Sequence, residues 1–274
     1  MQFIRVVLFI LIVIQMFVRA WWIKLRHRDK WEVKKKVSKQ VHQSCRWVLK
    51  LMGVQVRVQG PKELLEKENF FIVSNHLSYY DIFTLSSIYP MTFVSSYEML
   101  ETPLVGSVVD MGASVFIERR NKKNIHNEIA ELTQGLQQGL NIIVFPEAAC
   151  GNGEQLMRFR RPLYQAAIDS HKPVLPVVLN YRRLDGEPIS LKTRDQVFWY
   201  GDMTFIPHFI NALKFKKLEI DVLFLPPIRD IDSIHLRNKD LARLTHEEID
   251  RAYEGIQGVP RVSNVVWPED HSRK

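Results

Sequence analysis

A chain of 274 residues with 46% hydrophobic and 25% charged side chains carries enough apolar surface for one or two cores, which excludes wholesale disorder. Its formal net charge of +8 points to a polyanionic neighbour, either nucleic acid or an anionic membrane surface. The cysteines are two, Cys45 and Cys150, which excludes a disulfide framework and suits a reducing compartment.

Residues 3–23, FIRVVLFILIVIQMFVRAWWI, are apolar but for Arg5, Gln15 and Arg19. As a helix they reach roughly 31 Å, close to a bilayer core of about 30 Å. The uncharged part, 6–18, is short for a span unless Arg5 and Arg19 snorkel to the two interfaces. Trp21 and Trp22 fit an interfacial belt, and Lys24, Arg26, Arg28, Lys30, Lys34, Lys35 and Lys36 follow at once, a cluster expected on the cytoplasmic side. No small-x-small site precedes the basic block, so the segment reads as a retained membrane anchor rather than a cleaved signal peptide. Its pattern leaves open whether it crosses the bilayer or lies in one leaflet.

Residues 31–52 place Val33, Val37, Val41, Trp47, Val48 and Leu51 at helical spacing with lysines opposite, an amphipathic helix that Gly53 stops. Beyond it VQVRV (54–58) alternates like a strand. Apolar, β-branched runs at 70–75, 91–96, 114–117, 141–145, 174–180 and 218–225 alternate with helical patterns at 79–89, 103–110, 122–139 and 161–170. The order predicts an α/β fold, a single domain with a mainly parallel central sheet flanked by helices. The expected organisation is membrane-anchoring helices over 1–52, the α/β domain over 53–258 with a surface helix at 240–257, and a loose tail over 259–274. Ligands of such sheets sit beyond the carboxyl ends of strands.

Phosphate-loop, dinucleotide and nucleophile-elbow patterns are missing from the sequence, and HEEID (246–250) lacks the second histidine of a zinc helix, so no metal is expected. The basic residues are not interleaved with aromatics in the manner of RNA-binding strands, and nucleic acid is not expected as a partner. What stands out is VSNHLSYYD (73–81), where His76 and Asp81 lie five residues apart. On a continuous helix they would point roughly 140° apart. Ser78 reads as an N-cap with Asp81 as its capping-box partner, leaving His76 a loop residue. The alternative places His76 in the turn and Asp81 in the first helical turn, its carboxylate curling back to one imidazole nitrogen and leaving the other as a general base.

Three later stretches follow: GASVFIERR (112–120), FPEAACGNG (145–153) and KPVLPVV (172–178), the last carrying Pro173 and Pro176, unusual in a central strand unless an edge or bulge is intended. In this order the four blocks resemble the glycerophospholipid acyltransferase family, whose members acylate lysophospholipids from acyl-CoA or acyl-carrier protein. Asn75, His76 and Asp81 match its N-H-x-x-x-x-D block. Gly112 (shifted by one), Phe116, Ile117 and Arg119 match the second, Phe145, Pro146 and Glu147 the third, and Val174, Pro176 and Val177 the fourth. The resemblance runs from about residue 50 to 225, and FWYGDMTFIPHF (198–209) is similar to a later part of some members. It implies His76 as base oriented by Asp81, with no covalent acyl-enzyme. Arg119 would hold an acceptor phosphate and Glu147 would belong to the acceptor pocket. Val174 and Pro176 would lie on the acyl-donor side. The acyl thioester is a co-substrate, and no cofactor is implied.

The chain departs from the family where Ala148, Ala149 and Cys150 replace its usual Gly, Thr and Arg. Arg158, Arg160 and Arg161 are candidates to restore the lost charge from another angle. Otherwise the acceptor is not the lysophosphatidic acid most usual in the family but a zwitterionic lysophospholipid or a lyso-ornithine lipid. Cys150 reads as a small polar gap-filler rather than a nucleophile. Residues 198–210 suit an acyl tunnel, a bilayer contact or plain core.

Overall fold

The computed structural model describes residues 2–101, 105–112, 114–118, 124–231 and 235–260. Two helices open the chain, α1 (Gln2–Arg26) and α2 (Lys30–Met52), folded back on each other. Asp29 caps α2 by accepting the Glu32 N–H at 2.7 Å. Gly53 ends it in the left-handed region at φ 71°, where a Cβ would stand 2.2 Å from the Lys216 carbonyl oxygen, so only glycine fits.

The elements that follow are β1 (Val54–Gln59), α3 (Leu64–Lys67), β2 (Phe71–Ser74), α4 (Tyr80–Ile88), β3 (Thr92–Ser96), α5 (Tyr97–Leu100), α6 (Val105–Met111), β4 (Val115–Ile117), α7 (Ile125–Gln137) and β5 (Ile142–Val144). Then come α8 (Gln165–Ser170), β6 (Val174–Leu184), β7 (Glu187–Pro188), α9 (Phe205–Ala212), β8 (Leu218–Phe224) and α10 (Asn238–Ala252). The sheet runs β1-β8-β6-β2-β5-β3-β4, with β7 pairing β6. Every neighbouring pair is parallel except β6 with β8 and with β7. A mainly parallel sheet is the expected architecture. β2 and β5 are buried at every residue, as strands with helices on both faces must be.

Several expected elements differ at their ends. The helix foreseen over 161–170 begins as a 3-10 turn, Pro162–Tyr164, because proline fits the first turn but cannot donate to the ladder. Residues 261–274, most of the expected tail, lie outside the described residues. Pro176 is on no edge, since β6 is central between β2 and β8. Its tolerance comes from an irregularity. Val174 pairs Ile228 while Val177 pairs Phe224, so the two residues of β6 between these pairs face three of its partner. The missing proline N–H falls where the ladder is already broken, and its carbonyl still accepts from Leu225 N at 3.0 Å.

The core spans both faces of the sheet, and Val48, Leu49 and Met52 of α2 belong to it. One face of α1 is occupied from end to end. Val6, Phe9 and Ile12 pack on the main core, while Met16, Ala20 and Ile23 pack beside α2. Arg5 does not snorkel as expected. Its guanidinium donates to the Leu213 carbonyl at 3.0 Å and to that of Phe215, satisfying acceptors at the end of α9. The opposite face, including Phe3, Val7, Leu11, Ile14, Val18, Trp21, Trp22 and Leu25, is exposed.

Candidate active site

At the carboxyl end of β2 the buried Asn75 extends the sheet with its side chain. Nδ2 donates to the Leu179 carbonyl at 3.0 Å and Oδ1 accepts the Leu179 N–H at 2.8 Å. Fixed there, the chain turns through His76–Tyr79 into α4. The Asp81 carboxylate, on the first turn of that helix, curls back into the loop. Oδ2 accepts from His76 Nδ1 at 2.7 Å, Leu77 N at 2.6 Å and Ser78 N at 2.9 Å. Oδ1 accepts from the Tyr181 hydroxyl at 2.6 Å. The five-residue gap therefore closes on one carboxylate that both binds the turn's N–H groups and holds the imidazole.

Ser78 is not the helix cap the sequence suggested. Its hydroxyl donates instead to the Val197 carbonyl at 2.8 Å, and Trp199 N donates to the Leu77 carbonyl at 3.0 Å. The 197–199 loop thus takes the hydroxyl that a capping box would have used, while Asp81 keeps the other half by accepting the Ser78 N–H. Phe198 is buried and Tyr79 packs among Trp199, Phe205, His208 and Phe209. Core, with a clamp on the His76 turn, is what most of 198–210 forms. Ile206 and Ile210 alone of its large apolar residues are exposed.

The loop after β5 encloses the histidine from the other side. Phe145 stacks on the imidazole with centroids 4.0 Å apart and planes 9° apart. Glu147, buried, spends its carboxylate as a brace: Oε1 accepts His76 N and Oε2 accepts Met157 N, each at 2.8 Å. Ala148 turns the chain in the left-handed region at φ 61°, and Gly151 N donates to the His76 carbonyl at 2.8 Å. These bonds tie the loop that carries the half-buried Cys150 to the His76 turn.

Burial opposes a charged His76 ring, but the Cys150 thiol and the Asp81 carboxylate outweigh it and raise its pKa to about 10. Burial pushes the Glu147 carboxyl up to about 7 against its two backbone donors. The Tyr181 hydroxyl is held well above the ordinary phenol range by burial and by Asp81, so it stays a donor. The side chain of His76 retains 17% exposure, with Nδ1 bound and Nε2 left for a reacting group. Such an arrangement, with Nδ1 fixed by a carboxylate, can serve as a general base.

Beside it opens a cleft of about 1480 Å³, sharing Phe145, Pro146 and Ala148 as its wall. Arg158 and Arg160, the expected phosphate ligands, are exposed on its rim with Arg161, opposite Arg237, Lys239 and Arg243. Glu118, Glu128, Asp169 and Asp240 line it too, so its charge is mixed. Arg119 lies outside the described residues. Val174 and Pro176 are buried in the sheet and do not line this cleft. Sequence reading missed Tyr181 and the Val197–Trp199 clamp. Neither has a local signal, because only the β2–β6 pairing brings Tyr181 over a turn 100 residues away.

A family model described as Acyltransferase matches residues 55–180. The lyso-ornithine lipid O-acyltransferase of Rhizobium meliloti is 30% identical over 206 residues, 73% of this chain and 69% of that protein. The enzyme of the same name from Pseudomonas aeruginosa is 29% identical, covering 86% of this chain and 87% of its own length. The 1-acyl-sn-glycerol-3-phosphate acyltransferase of Neisseria gonorrhoeae is 31% identical over 64% of this chain and 65% of its own. The crystal structure of the 1-acyl-sn-glycerophosphate acyltransferase PlsC from Thermotoga maritima shares the fold at a TM-score of 0.58 and 19% identity, covering 92% of this chain and 96% of that one. Its sequence relatives and its four ordered motif blocks agree: the chain is an enzyme of the lysophospholipid-type acyltransferase family.

Proposed function

We propose that the protein transfers an acyl chain from an acyl thioester, acyl-CoA or acyl-carrier protein, to the free hydroxyl of a lysolipid, with His76 as the base. The observation that carries this reading is the Asp81 carboxylate bound to His76 Nδ1 at 2.7 Å, which leaves Nε2 to receive the acceptor's proton. Asp81 stabilises the imidazolium that forms, and Tyr181 and two backbone N–H groups hold Asp81 in place. His76→Ala should abolish transfer to lysolipid while leaving the protein folded. Turnover equal to the wild type would overturn the assignment.

For the acceptor, a lysolipid with a zwitterionic amino-acid headgroup is favoured. Ala148, Ala149 and Cys150 remove the family's arginine, and the adjoining cleft interleaves carboxylates with guanidinium groups, which suits an ammonium and a carboxylate on one ligand. Relatives named lyso-ornithine lipid O-acyltransferase align over as much as 86% of the chain. Lysophosphatidic acid is the second reading, favoured by relatives of that activity and by Arg158, Arg160 and Arg161 at the cleft. Labelled acyl-CoA offered with lyso-ornithine lipid, lysophosphatidylcholine and lysophosphatidic acid distinguishes them by which product is labelled. Preference for lysophosphatidic acid would overturn the first.

The exposed stripe of α1 repeats every three to four residues along its whole length, and its other face is packed on the protein from Gln2, whose side chain donates to the Ile210 carbonyl, to Lys24, 3.8 Å from Asp110. Packing along that face favours a helix lying flat against its domain over one standing across a bilayer. It lies in one leaflet, with Ile206 and Ile210 on the same surface and the domain on the cytoplasmic, anionic side, where Arg26 stacks over Trp22.

A further inference from the structure

The cleft beside His76 mixes its charges, and a second recess does not. Where α1 folds back on α2, a groove of about 420 Å³ opens between the two helices. Val18, Trp22 and Ile23 of α1 form its apolar wall, and Val18 and Trp22 also belong to the exposed stripe of that helix. Arg19, Lys36 and Lys39 stand over it, and among the described residues no carboxylate lines it. Little in the protein claims these charges. Lys36 reaches Glu32 at 3.6 Å, but Glu32 is shared with His27 at 3.1 Å. Arg19 Nε lies 2.9 Å from the end of the Gln15 side chain, a neutral partner. Lys39 is exposed and has no ion pair among the described residues. The groove's width is fixed from within. Gln40, 7% exposed, lines it and donates from Nε2 to the Met16 carbonyl at 2.8 Å, tying α2 to α1. Its Oε1 has no partner among the described residues, although a buried acceptor is ordinarily matched.

We propose that this groove binds one anionic glycerophospholipid of the bilayer, which is not a substrate but seats the helical hairpin in its leaflet. The proposal rests on the reading above that α1 lies in one leaflet. Arg19, Lys36 and Lys39 hold the phosphodiester through charge-assisted hydrogen bonds, and the lysine stems lie along apolar surface while their ammonium groups reach the phosphate. The acyl chains run past Val18 and Trp22 onto the exposed stripe of α1. That continuity selects a lipid over a soluble phosphate, which would gain nothing from the apolar wall. The absence of any lining carboxylate selects an anionic headgroup over a zwitterionic one, and a headgroup hydroxyl, as on phosphatidylglycerol, would match the Gln40 oxygen. The groove shares no residue with the cleft beside His76, so its lipid and the lysolipid acceptor occupy different places.

The test uses the full chain. In detergent, native mass spectrometry should find a single phosphatidylglycerol retained, no phosphatidylcholine, and no displacement by excess lysolipid. Lys36→Gln with Lys39→Gln should lose that lipid while acyl transfer in detergent stays within about threefold of the wild type. A diffuse field would treat all cations alike, so removing any two would weaken binding to phosphatidylglycerol vesicles roughly 30-fold. The groove predicts roughly tenfold more loss for Lys36→Gln with Lys39→Gln than for Arg46→Gln with Lys50→Gln, exposed further along α2. Equal losses for the two pairs, displacement by lysolipid, or a wild type that binds the vesicles yet retains no phosphatidylglycerol would overturn the site and leave the leaflet reading standing. A wild type that binds no vesicles overturns both.

Discussion

Asp81→Asn isolates the charge behind His76 while leaving the geometry. Three of the four donors around the carboxylate point at Oδ2 and two of them are backbone N–H groups that cannot reverse. The amide nitrogen must therefore take the place of Oδ1, opposite Tyr181, whose hydroxyl can turn to accept. His76 Nδ1 keeps an oxygen partner and its tautomer. What vanishes is the attraction between carboxylate and imidazolium. With charge centres about 4 Å apart and an effective dielectric near 20, that attraction is about 4 kcal/mol, of which a neutral hydrogen bond restores about 1.

A loss of about 3 kcal/mol in the transition state lowers kcat roughly 100-fold. The same figure lowers the His76 pKa by roughly two units. The sign follows from the base needing to be neutral: Asp81 and Cys150 raise the His76 pKa, so in the wild type kcat/KM rises with pH through a value above that of free imidazole. In Asp81→Asn the rising limb moves to lower pH, and the deficit narrows from alkaline to acid conditions. Steady-state acyl transfer from pH 5.5 to 10, with urea denaturation to confirm folding, measures both. An unchanged limb, or a kcat within threefold of the wild type, would refute the electrostatic role.

Asn75→Ala removes both partners of the Leu179 backbone inside the sheet, so it should cost about 2–4 kcal/mol by chemical denaturation, far more than a surface asparagine. For Glu147, whose folded pKa is raised from 4.5 to about 7, stability is fully present below pH 4.5 and lost as pH rises through 7, by about 3 kcal/mol. Denaturation midpoints from pH 4 to 8 should show that slope in the wild type and not in Glu147→Gln. Leu11→Asp with Ile14→Asp, on the exposed stripe of α1, should release the protein from phosphatidylglycerol vesicles in flotation without altering its melting, since each buried side chain contributes about 1.5–3 kcal/mol.

The alternation of strands and helices and the four ordered blocks were legible because they are local patterns. The β-branched runs of β2 and β5 carry their burial in their composition, and His76 with Asp81 lie within one turn of chain. Pairing was less legible. β6 looks like an edge or bulge from Pro176, and only its place between β2 and β8 shows that the irregularity lies in the ladder with Phe224–Ile228. Ser78 satisfies every rule for an N-cap, yet a tertiary partner, the Val197 carbonyl, wins its hydroxyl and Asp81 takes the N–H groups. Arg5 reads as a snorkelling charge because a sequence does not reveal that α9 will end beside it.

That last contact changes how the anchor relates to the chemistry. Arg5 closes the end of α9, Phe9 packs on Phe209 of that helix at 4.6 Å, and His208, one residue earlier, bonds the Tyr79 hydroxyl at 3.0 Å. Tyr79 belongs to the turn between His76 and Asp81. On the proposed reading, the helix that meets the lipid surface and the turn that carries the base are thus two sides of one aromatic cluster. A lysolipid acceptor would lie in the same surface as α1 on that reading, so fixing the turn to the anchor would fix the height at which His76 meets the acceptor hydroxyl. An anchor tethered by a flexible linker would set only the distance from the membrane, and would leave the orientation of the site to chance.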